Sequence, residues 1–186
     1  DRPLDFDAWD IDIFYQEKMR EITNLTAFEV TEMGPLCMKI HMEWDFAPRP
    51  VSCQTDSAGK QDGSSDRGWS CIRQDMILYS NHRRIDFKTE VDFHEQHQLL
   101  KAAFPVEIRS TYGTYDVQYG NVRRPNHWNT SWDQAKFETV AHRWADLSER
   151  NYGVSILNDC KYGHDIKDHV MRISLLRAGT HPDHLQ

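Results

Sequence analysis

The run Ile85-Asp86-Phe87-Lys88-Thr89-Glu90-Val91-Asp92-Phe93 constrains the fold more than any other feature of the chain. Ile85, Phe87, Thr89, Val91 and Phe93 share one parity, and Asp86, Lys88, Glu90 and Asp92 share the other. Successive side chains of a strand point to opposite faces, so this pattern makes a strand with one face in water and one buried. On a helix the same residues would scatter charge through the apolar stripe. The pattern recurs upstream. Leu36, Met38, Ile40, Met42 and Trp44 alternate with Cys37, Lys39, His41 and Glu43, until Pro48 and Pro50, which have no amide proton for a ladder, end the run. Ile72, Gln74, Met76 and Leu78 share a parity too, and pair with the Ile85 run as a hairpin across Asn81-His82.

Further strands follow. Leu99-Leu100-Lys101-Ala102-Ala103-Phe104-Pro105-Val106 is apolar on both parities and reads as a central strand covered on both faces. Tyr115, Val117 and Tyr119 alternate and end at Gly120; residues 121–135 read as loop; Phe137 to Trp144, Tyr152 to Leu157, and Met171 to Leu175 supply three more strands. Seven or eight strands without a long 3.6-residue period predict an all-β fold, an antiparallel β-sandwich of two sheets packed by their apolar faces. Residues 1–32 read as a lead-in, with a short helical turn over Gln16 to Ile22, and 33–186 as the sandwich domain. The stretch 51–70, rich in Gly, Ser and Asp, has too little apolar area to offset its ordering entropy and reads as a flexible surface loop or an artificial junction.

Composition excludes some functions. The formal charge of −7 argues against a nucleic-acid binder, which needs a basic surface. No apolar run is long enough to span a bilayer. The four cysteines have no C-x-x-C spacing, so free thiols in a cytoplasmic protein are expected, with a Cys53–Cys71 bridge across the polar loop as the alternative. The opening Asp1-Arg2-Pro3 has neither initiator Met nor signal peptide, and both ends read as trimmed.

The chemistry-bearing patterns are few. His94-Glu95-Gln96-His97 places its histidines three apart, where a zinc-binding helix needs four, and reads as a polar turn. No nucleophile elbow, phosphate loop or dinucleotide fingerprint occurs. Two loops stand out. Arg124-Pro125-Asn126-His127-Trp128-Asn129-Thr130-Ser131-Trp132-Asp133 mixes aromatic faces, which stack on sugar C–H faces, with groups that hydrogen-bond hydroxyls. Two tryptophans capping a core would read the same way. Leu157-Asn158-Asp159-Cys160-Lys161-Tyr162-Gly163-His164 ends a short apolar strand in dense polarity, which suits either a functional loop on a scaffold or a self-bonded turn.

The ordered series Leu99 to Val106, Tyr115-Asp116-Val117-Gln118-Tyr119-Gly120, Arg124-Pro125, Asn129-Thr130-Ser131-Trp132-Asp133, Phe137-Glu138, His142-Arg143-Trp144-Ala145-Asp146-Leu147-Ser148, Tyr152-Gly153-Val154, Leu157-Asn158-Asp159-Cys160-Lys161-Tyr162-Gly163 and Ser174-Leu175-Leu176-Arg177 resembles glycoside hydrolase family 38, the class II α-mannosidases, in their cytosolic and bacterial branch. Order and spacing match over residues 83–183, and Asp7-Ala8-Trp9-Asp10-Ile11-Asp12 is similar to that family's lead into its β domains. The chain departs from the family pattern at Asn126, Trp128 and Gln134, where Thr, Arg and Trp are usual.

The resemblance implies a supersandwich-like fragment of a larger multidomain enzyme, a retaining exo-α-mannosidase with an Asp nucleophile and a second carboxylic acid. It implies Zn²⁺ in the parent enzyme, held upstream, so that no catalytic residue, metal ligand or cofactor is expected here. The expected partners are the chain's own N-terminal catalytic domain and, in the parent, an oligosaccharide; no nucleic acid or membrane is expected, and a homo-oligomer is possible. Substrate-rim candidates are Asn158, Asp159, Lys161, Tyr162, His127 and Trp132. The alternatives are a stand-alone carbohydrate-binding module using Trp128 and Trp132, or a structural or oligomerisation domain.

Overall fold

The computed structural model describes residues 11–47 and 69–179. The chain divides into two compact units, Met19–Glu95 and a second built from Asp1–Lys18 with Gln96–Gln186. Of the polar stretch 51–70 only Trp69 and Ser70 are described, and Cys53 lies outside the described residues. Cys37, Cys71 and Cys160 are free thiols.

The unit Met19–Glu95 is an antiparallel meander of β1 (Asn24–Met33), β2 (Cys37–Asp45), β3 (Cys71–Tyr79) and β4 (Ile85–Asp92), paired in chain order. Period two sorts its side chains. Val30, Ile40, Met76 and Phe87 lie in one row across all four strands, and the neighbouring row is Glu29, His41, Asp75 and Lys88. The polar face is tied by ion pairs. Asp75 accepts from His41 Nδ1 at 2.7 Å and from Lys39 Nζ at 2.9 Å, which raises His41 and Lys39 and lowers Asp75. On the apolar face Ile40 is buried, while Phe28, Val30 and Met33 of the edge strand stay exposed. β1 crosses residue 32, where the sequence reading ends a lead-in. Extended structure is legible in sequence from Glu29-Val30-Thr31, but the start of the strand at Asn24 is not, because the register shifts between Leu25 and Ala27 and again between Val30 and Glu32. Each bulge inserts one residue and reverses the parity, so the strand shows no steady alternation.

The second unit is a sandwich. One sheet holds β6 (Tyr112–Val117), β7 (Gly120–Pro125), β9 (Trp144–Ser148) and β10 (Gly153–Leu157) in the order β10-β9-β6-β7. The other holds β5 (Leu99–Pro105), β8 (Thr139–Val140), β11 (Gly163–Lys167) and β12 (Val170–Arg177) in the order β5-β12-β11-β8. Tyr115, Ala145 and Leu147 from the first meet Ile166 and Met171 from the second, with Ile108 and Ala141 from the connections. Leu147 and Met171 are completely buried, and each stabilises the fold by about 2 kcal/mol.

The antiparallel all-β fold therefore stands, with three four-stranded sheets in place of two. Other details differ. The short helical turn is a 3₁₀ turn at Ile13–Lys18, earlier than expected. β7 and the single-turn helix α1 (Ser131–Gln134) occupy what reads as loop over 121–135. The expected strand from Phe137 to Trp144 is split between β8 and the start of β9, and β11 was not foreseen.

β5 is an edge strand and not a central one, pairing only with β12 among the described residues. It is apolar on both parities because one face adds Leu100 to the core while the other carries Lys101 beneath the 3₁₀ turn, with Lys101 Nζ 3.1 Å from Tyr15 Oη. Lys101 also meets Glu138 at 2.5 Å and Asp165 at 2.6 Å, and Arg172 pairs with Asp165 at 2.7 Å. Two cations and two anions thus balance inside one buried cluster. Burial by itself pushes the Lys101 ammonium down, but Glu138 and Asp165 outweigh it and the net shift is upward.

Candidate functional site

Strand register separates the six rim candidates into two groups. In the β6–β7 hairpin Tyr112 faces Pro125 and Val117 faces Gly120; β9 adds Ala145 beside Tyr115, and β10 sets Leu157 against Trp144. The loop 158–162 therefore leaves the sheet at the Val117 end. The stretch from Asn126 leaves it at the Tyr112 end, where Asn126 is bonded to Asp168 at the β11–β12 turn. The residues from His164 to Asp168 run between the two ends, roughly 13 Å of extended chain. Asn158, Asp159, Lys161 and Tyr162 stand together; His127 and Trp132 lie at the opposite end.

The first group is built from the backbone outward. Asn158 closes a tight turn, its Oδ1 accepting the Lys161 amide at 2.7 Å, while its own amide donates to the Arg143 carbonyl at 2.9 Å. The Tyr162 carbonyl accepts the Ala141 amide at 3.0 Å. The Tyr162 ring stacks on His142, with centroids 5.7 Å apart and planes at 21°. Asp116 holds this crossing in place: its carbonyl takes the His142 amide at 2.9 Å and its carboxylate the Arg143 amide at 2.9 Å. Tyr162 keeps half its surface in water, and Asp159 is exposed. Asp159 beside Cys160 pushes that thiol up, so it is a poorer nucleophile than a free cysteine. His164 closes the loop inside the core, where burial pushes its imidazole down and favours the neutral ring.

His142, Arg143 and Asp116 thus belong to this end of the sandwich, and none was among the sequence candidates. The one available signal was their place in the ordered motif series. No local pattern marks them, because the end of β6 and two separate loops meet only after the sheets have paired.

The second group is structural in large part. Asn126 is buried, its side-chain amide donating to the Ser110 and Asp168 carbonyls at 2.8 and 2.7 Å. Lys167 Nζ lies 3.5 Å from the centroid of the Trp128 ring and covers that face. His127 is held 3.6 Å from Asp133, which also completes a capping box with Thr130 at the start of α1. Trp132 is left 81% exposed.

Among the described residues no three His, Cys, Asp or Glu side chains converge as a metal-holding group. The zinc implied by the family resemblance finds no donor set in those residues. Among the described residues, no helix is long and apolar enough to cross a membrane.

Comparison with known proteins agrees with the geometry. Residues 1–185 match the family model described as the glycosyl hydrolases family 38 C-terminal domain. The chain is 39% identical over 183 residues to alpha-mannosidase G of Dictyostelium discoideum, covering 98% of this chain and 15% of that protein. It is 37% identical over 193 residues to human alpha-mannosidase 2C1, covering 98% of this chain and 16% of that protein. The crystal structure of an alpha-mannosidase from Enterococcus faecalis V583 superposes with a TM-score of 0.66 at 16% identity, over 84% of this chain and 19% of that one, and supports the fold. The chain thus spans less than a fifth of the length of these relatives. With the family model matched across almost the whole sequence and the antiparallel sheets in place, the chain belongs to glycoside hydrolase family 38, as a C-terminal domain of that family.

Proposed function

We propose that this chain is the non-catalytic β-sandwich portion of a retaining α-mannosidase that removes terminal α-mannose from oligosaccharides in the cytoplasm. In this reading the chain packs on an upstream zinc-dependent catalytic domain and lends the Asn158–Tyr162 loop to the rim of its active site. Family membership supports the parent activity. The observation that carries the rim assignment is the end of the sandwich itself: an Asn-closed turn presents Asp159 and Tyr162 to solvent, and His142 backs the Tyr162 ring. A loop whose bonds are already made inside the scaffold loses little entropy when it meets a ligand.

The test is the full-length enzyme carrying Asp159→Ala or Tyr162→Ala. The expected outcome is a fall of about tenfold in kcat/KM, the loss of one directed contact worth about 1.4 kcal/mol. Unchanged kinetics in a variant of unchanged stability would refute the rim assignment. The carbohydrate-module reading is weaker, because Lys167 already occupies one face of the Trp128 ring.

A further inference from the structure

The tip of the β6–β7 hairpin breaks a local rule. Val117 pairs with Gly120, so the connection is the two residues Gln118 and Tyr119. Tyr119 has φ of 65°, in the left-handed region where a Cβ crowds the following carbonyl and where Gly is the natural occupant. Yet the neighbouring Gly120 has no positive φ, and a Cβ there would meet nothing within 4 Å. The glycine is therefore not the residue that makes the bend. The β11–β12 turn offers a comparison: its left-handed residue is Asp168, a type that tolerates the conformation and is also bonded to Asn126. Tyr119 has no such compensation from packing, since its side chain is wholly exposed. A strained conformation that local packing does not repay is a pointer to function.

The hairpin tip lies beside the rim loop. Asp116, three residues before Tyr119, binds the His142 and Arg143 amides, and His142 stacks on Tyr162. Tyr119, wholly exposed, and Tyr162, half exposed, thus stand at the same end of the sandwich, which also carries Asp116, His142 and Arg143.

We infer that Tyr119 is a sugar-stacking residue, holding a mannose unit of the oligosaccharide outside the cleavage position, with its ring presented by the strained hairpin tip. The inference rests on the rim assignment above and goes beyond it by giving the rim a specificity role. A flat aromatic face fits the apolar C–H face of a pyranose, and the exposed polar residues at the same end, Asp159 and Arg143, are of a type that bonds its hydroxyls. A small aryl glycoside, with one sugar, does not reach such a position; an oligosaccharide does.

The experiment compares the full-length enzyme with its Tyr119→Gly, Tyr119→Phe and Tyr119→Trp variants on 4-nitrophenyl α-mannoside and on a mannose oligosaccharide. The readout is the ratio of kcat/KM for the oligosaccharide to that for the aryl mannoside. In Tyr119→Gly this ratio falls roughly fivefold, the loss of an aromatic contact of about 1 kcal/mol. Phe and Trp restore it, because they keep the ring. The thermal midpoint of Tyr119→Gly is equal to or above the parent's, since Gly relieves the backbone. An unchanged ratio overturns the inference. So does a loss shared equally by both substrates or accompanied by a lower midpoint, which would mean that the ring docks against another part of the polypeptide. Tyr162→Ala assayed in parallel separates the two claims: if it is impaired while Tyr119→Gly keeps the parent's ratio, the stacking inference alone fails; if neither changes, the rim assignment fails as well.

Discussion

Asn126 and Asp168 exchange hydrogen bonds: the Asp168 amide donates to the Asn126 carbonyl at 2.7 Å, and the Asn126 side-chain amide donates to the Asp168 carbonyl at 2.7 Å. These bonds join the end of one sheet to the β11–β12 turn of the other, and a further bond from the same side chain to the Ser110 carbonyl, at 2.8 Å, ties in the β5–β6 connection. A residue that reads in sequence as part of a sugar-facing loop is therefore an internal staple. Asn126→Ala removes both side-chain bonds of a buried residue, to the Ser110 and Asp168 carbonyls, and lowers stability by about 1–2 kcal/mol, measurable by urea denaturation. Trp132→Ala, on an exposed ring in the same stretch, stays within about 0.5 kcal/mol of the parent. Equal losses in the two variants would contradict this division of roles.

Lys101 is the second case. Lys101→Met leaves Glu138 and Asp165 buried against each other, with Arg172 alone on the Asp165 side, and is expected to cost about 3–5 kcal/mol. Titration adds a signature. The folded Lys101 value lies above that of a free lysine, and burial pushes the Tyr15 phenol from 10.0 up to about 12. Both groups hold their protons more tightly in the folded chain. The Tyr15 contribution is complete below pH 10 and is lost as pH rises from 10.0 to about 12, while that of Lys101 begins to fall only above 10.5. Tyr15→Phe removes the phenol's share, so its stability falls less steeply across that window in alkaline denaturation.

His164 works in the opposite direction. Burial, the first cause of its shift, holds the folded imidazole below the usual value of 6.5, against partial support from the Lys161 backbone and from Glu138 and Asp165, with Lys101 adding to the depression. The unfolded chain binds the proton more readily, so stability is present above pH 6.5 and is lost as pH falls toward the folded value. His164→Gln is less stable than the parent at neutral pH but loses less between pH 7 and pH 5. A parallel decline of the two proteins would remove His164 as the source of acid sensitivity.

Gly113 reports how closely the two sheets approach. A Cβ there would lie 2.8 Å from the Ile166 terminal methyl and 3.2 Å from the Tyr115 ring. Gly113→Ala is expected to lower stability by about 1–3 kcal/mol through overpacking. Pairing it with Ile166→Val, which shortens the opposing side chain, recovers part of that loss in a double-mutant cycle.

The strands with steady alternation were legible without a structure. β2, β3 and β4 keep their parity over eight or nine residues each, and the β3–β4 hairpin follows from it. β1 was legible only from Glu29 onward, its two bulges obscuring the rest, and β11 was hidden by its composition, because His164 and Asp165 put polar side chains on both faces of a buried strand. β5 misled in the other direction: covered faces made an edge strand look central. The rim loop could be picked out by its abrupt polarity, while His142 and Asp116 could not, since their roles are backbone bonds made across strands far apart in sequence.

Sequence by itself determined that this chain is antiparallel β and which family it resembles, because side-chain parity and ordered motifs are local properties of the chain. Only the tertiary structure decided that the two aromatic and polar loops sit at opposite ends of one sandwich, that Asn126 is a staple, and that Tyr119 stands wholly exposed in a left-handed turn. Each of these depends on pairing register and on contacts between distant segments. A one-residue change of register would reverse the faces without altering a single local pattern.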